Sequence, residues 1–224
     1  MFDSYLNESI LGRAIKGKLI SIKFYNPRDF VPGNKSNYRP VDDKPYGGGP
    51  GMVMRPEPII KAIEKALAVA KKSRLQRSRG SSTKVGIKII NFSPMAEKFT
   101  TGYAKTAAQN YTDLIMICGR YEGIDARVVK VIKNWKLKIE NLSIGDYVLT
   151  GGELPAMVLI DSISRQIKGV LGKYESLEEE RVSSSEVYTR PEILKYKNKF
   201  YRVPKVLLSG NHKLIEAWKS KSKK

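Results

Sequence analysis

One cysteine, Cys118, and one histidine, His212, are all that 224 residues contain of those two side chains. A lone thiol forms no intramolecular disulfide, and so small a stock of His and Cys argues against a metal site built from them. No run of about 18 apolar residues occurs, so no membrane-spanning helix is expected. The N-terminus, Met1-Phe2-Asp3-Ser4-Tyr5, lacks the charged start and apolar core of a secretory signal. These absences point to a reduced, cytoplasmic setting without a membrane. Acidic residues are also scarce, with 22 Asp+Glu against 41 Lys+Arg and a net charge of +19. That balance fits a protein that meets a polyanion, and leaves catalysis open because a basic ribosomal-type protein has it too.

What is present is organised around residues 143–157, Ser-Ile-Gly-Asp-Tyr-Val-Leu-Thr-Gly-Gly-Glu-Leu-Pro-Ala-Met. Gly145, Gly151 and Gly152 bracket a short apolar run, and glycine lets backbone approach a ligand closely. Leu154, Met157, Ile160, Ile163 and Ile167 then fall at helical spacing, with Pro155 tolerated in the first turn. The stretch reads as a loop, a strand-like run, a Gly-Gly turn and a buried helix. A plain turn between core elements would carry the same punctuation.

Upstream, residues 2–16 suit one amphipathic helix, and residues 19–25 alternate as a strand with Ile20, Ile22 and Phe24 on one face. Gly12-Arg-Ala-Ile-Lys-Gly17-Lys18 imitates a phosphate-binding loop, but Leu19 stands where a hydroxyl is needed and no strand precedes it. Residues 26–54 form a long polar loop with four glycines between positions 47 and 51, a backbone surface shaped to receive something. Pro56 opens a helix with Ile60, Ile63, Leu67 and Ala70 as its apolar stripe. The basic run 71–83 breaks that pattern and adds to an RNA-facing charge. Residues 85–92 and 114–118 read as buried strands, with a helix at 101–109 between them and another marked by Val128, Val129 and Ile132. Strands separated by helices predict an α/β domain with a mostly parallel sheet flanked by helices. Ligands of such sheets sit beyond the strands' carboxyl ends, where Ser93-Pro94, residues 119–122 and residues 143–152 converge. Residues 168–186 turn acidic and hydrophobe-poor and read as a linker, followed by a small ordered piece and a basic tail at 219–224.

Pro27-Arg-Asp-Phe30, Pro45-Tyr-Gly-Gly-Gly-Pro-Gly-Met52, Gly119-Arg-Tyr-Glu-Gly-Ile-Asp125, Ser143-Ile-Gly-Asp-Tyr-Val-Leu149, Gly151-Gly-Glu-Leu-Pro-Ala-Met157, Tyr188-Thr-Arg-Pro191 and Leu207-Leu-Ser-Gly-Asn-His212 together resemble the bacterial tRNA (guanine-N1)-methyltransferase family. The blocks run in order to about Trp218. The resemblance implies a SPOUT-type α/β fold with a deep C-terminal trefoil knot, which periodicity cannot show, followed by a short helical C-terminal segment. The implied domains are 1–168 for methyl transfer, 169–187 as linker and 188–224 for tRNA. The implied reaction is methyl transfer from S-adenosylmethionine to N1 of guanine 37 of tRNA, by a homodimer with active sites shared across its interface. A non-catalytic RNA-binding relative is the alternative.

The resemblance places S-adenosylmethionine against Ser93, Pro94, Gly119, Tyr121, Glu122, Ile144, Gly145, Asp146, Tyr147, Val148, Leu149, Gly151, Gly152 and Pro155, with no metal. It matches Arg165 to the family's catalytic arginine, suited to the charge that builds on guanine O6. It puts Glu180 where the family's catalytic Asp closes an acidic run, with Glu179 and Glu186 as lesser candidates for the base that removes the N1 proton. Here the linker is shorter, and Ser184 stands where a second acidic residue often precedes Tyr-Thr-Arg-Pro. The family's short apolar strand ahead of the first helix is not in this sequence, and its C-terminal helical domain is represented only to about Trp218.

Overall fold

The structure is a computed structural model and describes residues 1–33, 38–77, 86–172 and 186–221. The chain divides into two compact units, Met1–Val170 and Leu171–Lys224.

The first unit is built on a three-stranded parallel sheet. Strand β3 (Ile87–Lys98) lies between β4 (Asp113–Ile117) and β5 (Ile139–Ser143) and runs parallel to both. Successive side chains of a strand face opposite ways, so Ile89 and Ile90, both fully buried, head two separate cores. Ile89 packs with Ile59, Ile63 and Leu67 of α3 (Pro56–Arg77) and Val128 and Ile132 of α5 (Arg127–Asn134). Ile90 packs with Ala104 and Ala107 of α4 (Thr101–Asn110) and Leu159 and Ile163 of α6 (Glu153–Ser164). This is the helix-covered parallel sheet that the alternation of patterns predicts.

Several local expectations are corrected. The N-terminal helix is two, α1 (Asp3–Leu6) and α2 (Ser9–Lys16), broken at Ser9 with φ +49°. The two pack so tightly that a Cβ on Gly12 would lie 2.3 Å from the Asn7 carbonyl oxygen. Gly12 lies inside α2 and Gly17 caps it, so the phosphate-loop imitation is helix. Residues 19–25 form no strand; the alternation is real, but no neighbouring strand among the described residues supplies a ladder. The polar loop holds a 3-10 turn at Pro27–Phe30 and two short antiparallel strands, β1 (Asp42–Asp43) and β2 (Val53–Met54). Helix α3 continues past the expected break to Arg77. The strand-like run after Ser143 is irregular, and the strand lies before it, at β5. The buried stripe of α6 is Pro155, Ala156, Leu159 and Ile163, whereas Leu154 and Val158 are exposed. No described helix is long and apolar enough to cross a membrane.

The second unit is not purely helical. It contains a hairpin of β6 (Ile193–Tyr196) and β7 (Lys199–Arg202), then α7 (Lys205–Leu208) and α8 (His212–Lys221).

Candidate active site

All three sheet strands end at the same edge, and the chain leaving each contributes to one region. Strand β3 pairs with β5 at Phe92↔Leu142 and again at Glu97↔Leu142, so residues 93–96 are extra and bulge outward. Ser93 and Pro94 lie in that bulge. Its far side is tied down where the Phe99 amide donates to the Ser143 carbonyl at 2.7 Å.

From β5 the chain turns tightly. The buried Ser143 hydroxyl donates to the Gly145 carbonyl at 3.0 Å and accepts from the Gly145 amide at 3.2 Å. Lys98 Nζ reaches Asp146 Oδ2 at 2.5 Å, fixing the loop to the end of β3. The chain then crosses to β4, on the other side of β3, where Gly151 bridges Arg120 and the Gly152 amide donates to the Gly119 carbonyl at 2.8 Å. Residues 144–152 therefore span the ends of all three strands. Gly152 permits this because a Cβ there would sit 2.7 Å from the Cys118 Cα, against backbone that has nowhere to go. Tyr147 and Val148, midway along the crossing, stay exposed, while Pro155 is buried in the first turn of α6.

A fourth segment joins from upstream. Met54 bridges Ile124 in parallel, the Met54 amide donates to the Gly123 carbonyl at 2.9 Å, and the Glu122 amide donates to the Met52 carbonyl at 3.1 Å. This draws the glycine run against residues 120–124, where a Cβ on Gly51 would lie 2.6 Å from a Glu122 carboxylate oxygen. Gly47, Gly48, Gly49 and Gly51 all have φ between +82° and +109°, a backbone that side-chain-bearing residues rarely adopt.

The electrostatics of the region centre on a pair that local sequence pattern does not reveal. Arg120 Nε donates to Glu153 Oε1 at 2.8 Å, joining the exit of β4 to the first residue of α6, where a carboxylate is also favoured by the helix dipole. Their separation of 33 positions leaves no periodic signal; the only clue is opposite charges in two of the motif blocks. Burial pushes the Cys118 thiol up to about 12, with Glu153 adding to the rise and Arg120 opposing it. The thiol is therefore protonated at neutral pH and does not act as a nucleophile. Hydrogen bonds from Arg127 hold the Asp125 carboxyl below its usual value, against a smaller opposing effect of burial, so it is a poor proton acceptor.

Ser93, Pro94, Gly119, Tyr121, Glu122, residues 144–149, Gly151, Gly152 and Pro155 thus belong to segments gathered at one sheet edge. Arg165 does not join them within a single chain. It caps the far end of α6, and 13 residues at about 1.5 Å each put its backbone roughly 20 Å from Gly152. Glu179, Glu180 and Ser184 lie outside the described residues. Glu186 is described: it accepts a hydrogen bond from the Tyr188 hydroxyl at 2.7 Å, which raises the phenol's pKa.

A helix-covered parallel sheet with backbone-rich loops gathered beyond its carboxyl ends defines an α/β protein of the kind that takes its ligand at that edge. Comparison with known sequences narrows this. The family model for tRNA (Guanine-1)-methyltransferase matches residues 1–224. A tRNA (guanine-N(1)-)-methyltransferase of Photobacterium profundum is 44% identical over 99% of this chain and 80% of its own length. Those of Buchnera aphidicola and Haemophilus influenzae are 41% and 43% identical over 99% of this chain, covering 84% and 81% of theirs. The chain belongs to the tRNA (guanine-1)-methyltransferase family.

Proposed function

We propose that this chain transfers the methyl group of S-adenosylmethionine to N1 of guanine 37 in tRNA, working in the cytoplasm as a homodimer with shared active sites. The observation that carries the reading is the crossing of residues 144–152 over the ends of β5, β3 and β4, closed by Gly152 against Cys118. A crossing of this kind also supports a trefoil-knotted path for the chain.

The loops fit the cofactor. Residues 144–150 are in neither helix nor strand, so their amides and carbonyls are not committed to a ladder. The Tyr147 ring lies over Gly145, 2.3 Å from where a Cβ would be, is half-exposed, and makes only a long 3.3 Å bond to the Ile144 carbonyl. That ring can swing to admit a flat ligand. When bound, S-adenosylmethionine supplies a methyl group activated on a sulfonium sulfur. Ser93 and Pro94 in the bulge, Gly119, Tyr121, Glu122, residues 144–149, Gly151, Gly152 and Pro155 would hold it. With the acceptor nitrogen set in line, positioning does most of the work.

The chain's remaining tasks are proton removal and charge stabilisation. The Glu180 carboxylate accepts the N1 proton of guanine. The Arg165 guanidinium offsets negative charge developing on O6. Its distance of roughly 20 Å from Gly152 along α6 supports its acting in the partner subunit's site. The test is transfer of labelled methyl from S-adenosylmethionine to unmodified tRNA transcripts carrying guanine or adenine at position 37. Transfer to N1 of guanine 37 alone is expected. Transfer elsewhere, or none, overturns the assignment.

A further inference from the structure

The second unit carries a surface that methyl transfer itself does not require. None of residues 186–221 is buried, so among these described residues there is no core to hold aromatic side chains. Yet the hairpin β6–β7 has three rings in eight strand positions. Its register pairs Leu194 with Tyr201 and Tyr196 with Lys199, which sets those four side chains on one face. Tyr196 and Tyr201 are 60% and 52% exposed. On the opposite face Phe200 is partly covered by Lys195, whose Nζ lies 5.7 Å from the ring centroid. At the tip, Lys197 takes a left-handed φ of +52° and holds its Nζ 5.6 Å from the Tyr196 ring. From position 193 to 215 there are six Lys or Arg and no carboxylate.

A two-stranded ribbon is marginal alone in water, and apolar rings exposed on one mark a contact surface rather than a stabilising core. The four Lys or Arg of residues 193–202, with no carboxylate among them, make the complementary partner a polyanion. Rings interleaved with cations at two-residue spacing suit a strand of unpaired nucleotides, whose bases stack on aromatic faces while their phosphates meet lysines. A paired helix offers no such faces. We propose that the β6–β7 hairpin is a single-stranded RNA contact, with Tyr196 and Tyr201 stacking on unpaired loop bases and Lys197 and Lys199 on the flanking phosphates. This rests on tRNA being the substrate and specifies that the hairpin takes the unpaired loop rather than the stem.

The test uses the full chain with three probes: an unmodified tRNA transcript, its anticodon stem-loop, and a fully paired RNA duplex of equal length. Tyr196→Ala with Tyr201→Ala weakens binding to tRNA and stem-loop at least tenfold, since each lost stack is worth about 1–3 kcal/mol, and changes duplex binding less than twofold. Tyr196→Leu with Tyr201→Leu, which keeps strand propensity and apolar area, shows the same loss, whereas the double Phe variant retains affinity. Replacing Lys197 and Lys199 by Gln lowers the log-log salt slope by about 1.4, at roughly 0.7 per phosphate. Under turnover KM for tRNA rises while kcat is kept. Wild-type affinity in the Ala and Leu variants, or an equal loss on duplex, overturns the proposal. So does an altered sedimentation coefficient with unchanged RNA binding, which would make the hairpin a contact between two copies. Failure of the intact chain to methylate tRNA sinks the proposed activity and leaves these binding measurements readable.

Discussion

Gly152 and Cys118 are in backbone contact across two loops: a Cβ on Gly152 would stand 2.7 Å from the Cys118 Cα, and the neighbouring amide-to-carbonyl bond to Gly119 is 2.8 Å. Gly152→Ala must part the crossing loop from β4. Overpacking of this kind costs about 1–3 kcal/mol, a fall of roughly 5 °C in Tm for a chain of this size. Cofactor affinity falls with it, because Gly151 and the loop before it move. Gly102→Ala is the control. Its Cβ meets nothing nearer than the Thr100 hydroxyl at 3.7 Å in the first turn of α4, so Tm holds or rises. Differential scanning calorimetry and titration with S-adenosylmethionine read both. An unchanged Gly152→Ala protein would show that the contact does not set the loop.

At the amino end of the sheet, Lys88 pairs with Glu140, Tyr103 donates to Glu140 at 2.9 Å, and the lysine lies about 5 Å from the centroids of the Tyr103 and Tyr111 rings. Burial acts to lower the Lys88 pKa, but its hydrogen bonds with Glu140 and Tyr103 outweigh it and leave the pKa raised. Burial, aided by the bond to Glu140 and opposed by Lys88, lifts the Tyr103 phenol to about 12. Both groups are therefore held protonated by the fold. Their stabilising contribution is complete below pH 10 and declines as pH rises through their folded values, so denaturant midpoints should drop between about pH 10 and 12. Tyr103→Phe removes part of that slope and costs about 1 kcal/mol near neutral pH. A midpoint independent of pH over that interval would refute the coupling.

How far the sequence could be read is clearest at particular elements. The pattern change from period 2 to period 3.6 locates α4, β4, α5, α6 and the start of β3 within a few residues, but it ends β3 at Phe92, whereas pairing with β5 resumes beyond the Ser93-Pro94 bulge and runs to Lys98. It misplaces residues 19–25, since a strand exists only with a partner and alternation says nothing about pairing. It also misses β5, because Ile139-Glu-Asn-Leu-Ser143 carries polar residues that satisfy one another across the sheet, Asn141 accepting from Asn91 at 2.9 Å. The site loops were legible as glycine-rich blocks. Their contacts were not, since Arg120–Glu153 and Met54–Ile124 join segments 33 and 70 positions apart.

Glu180 tests the chemistry of proton removal. The acceptor N1 must lose a proton as the methyl group arrives, and Cys118, held protonated, and Asp125, held ionised by Arg127, are both unsuited to take it. A glutamate brings a carboxylate on a side chain one methylene longer than aspartate. Glu180→Gln keeps its shape and removes its basicity, so single-turnover methyl transfer should fall at least a hundredfold. Affinity for S-adenosylmethionine should stay the same, and Ser184→Ala should do little. A Glu180→Gln protein with the wild-type rate would move the base to Glu179, to Glu186 or to water.

Arg165 separates action within a subunit from action between subunits. Its place at the far end of α6 puts its backbone roughly 20 Å from Gly152, where the loops proposed to hold the cofactor enter the helix. If it serves the partner, two inactive chains can complement each other. Gly145→Val puts a branched side chain into the space the Tyr147 ring now covers and would vacate for the ligand, so it blocks the proposed cofactor loop, and it keeps Arg165. Arg165→Ala keeps the loop and lacks the cation. In a mixed dimer one site then combines an intact loop from one chain with an intact arginine from the other, and the second site has neither. Random mixing makes about half the dimers mixed, each with one of its two sites whole, so activity should return to about a quarter of the wild-type level. Action within one chain predicts that every mixture stays as inactive as its components, and that outcome would place the arginine's role, if any, at its own subunit's site.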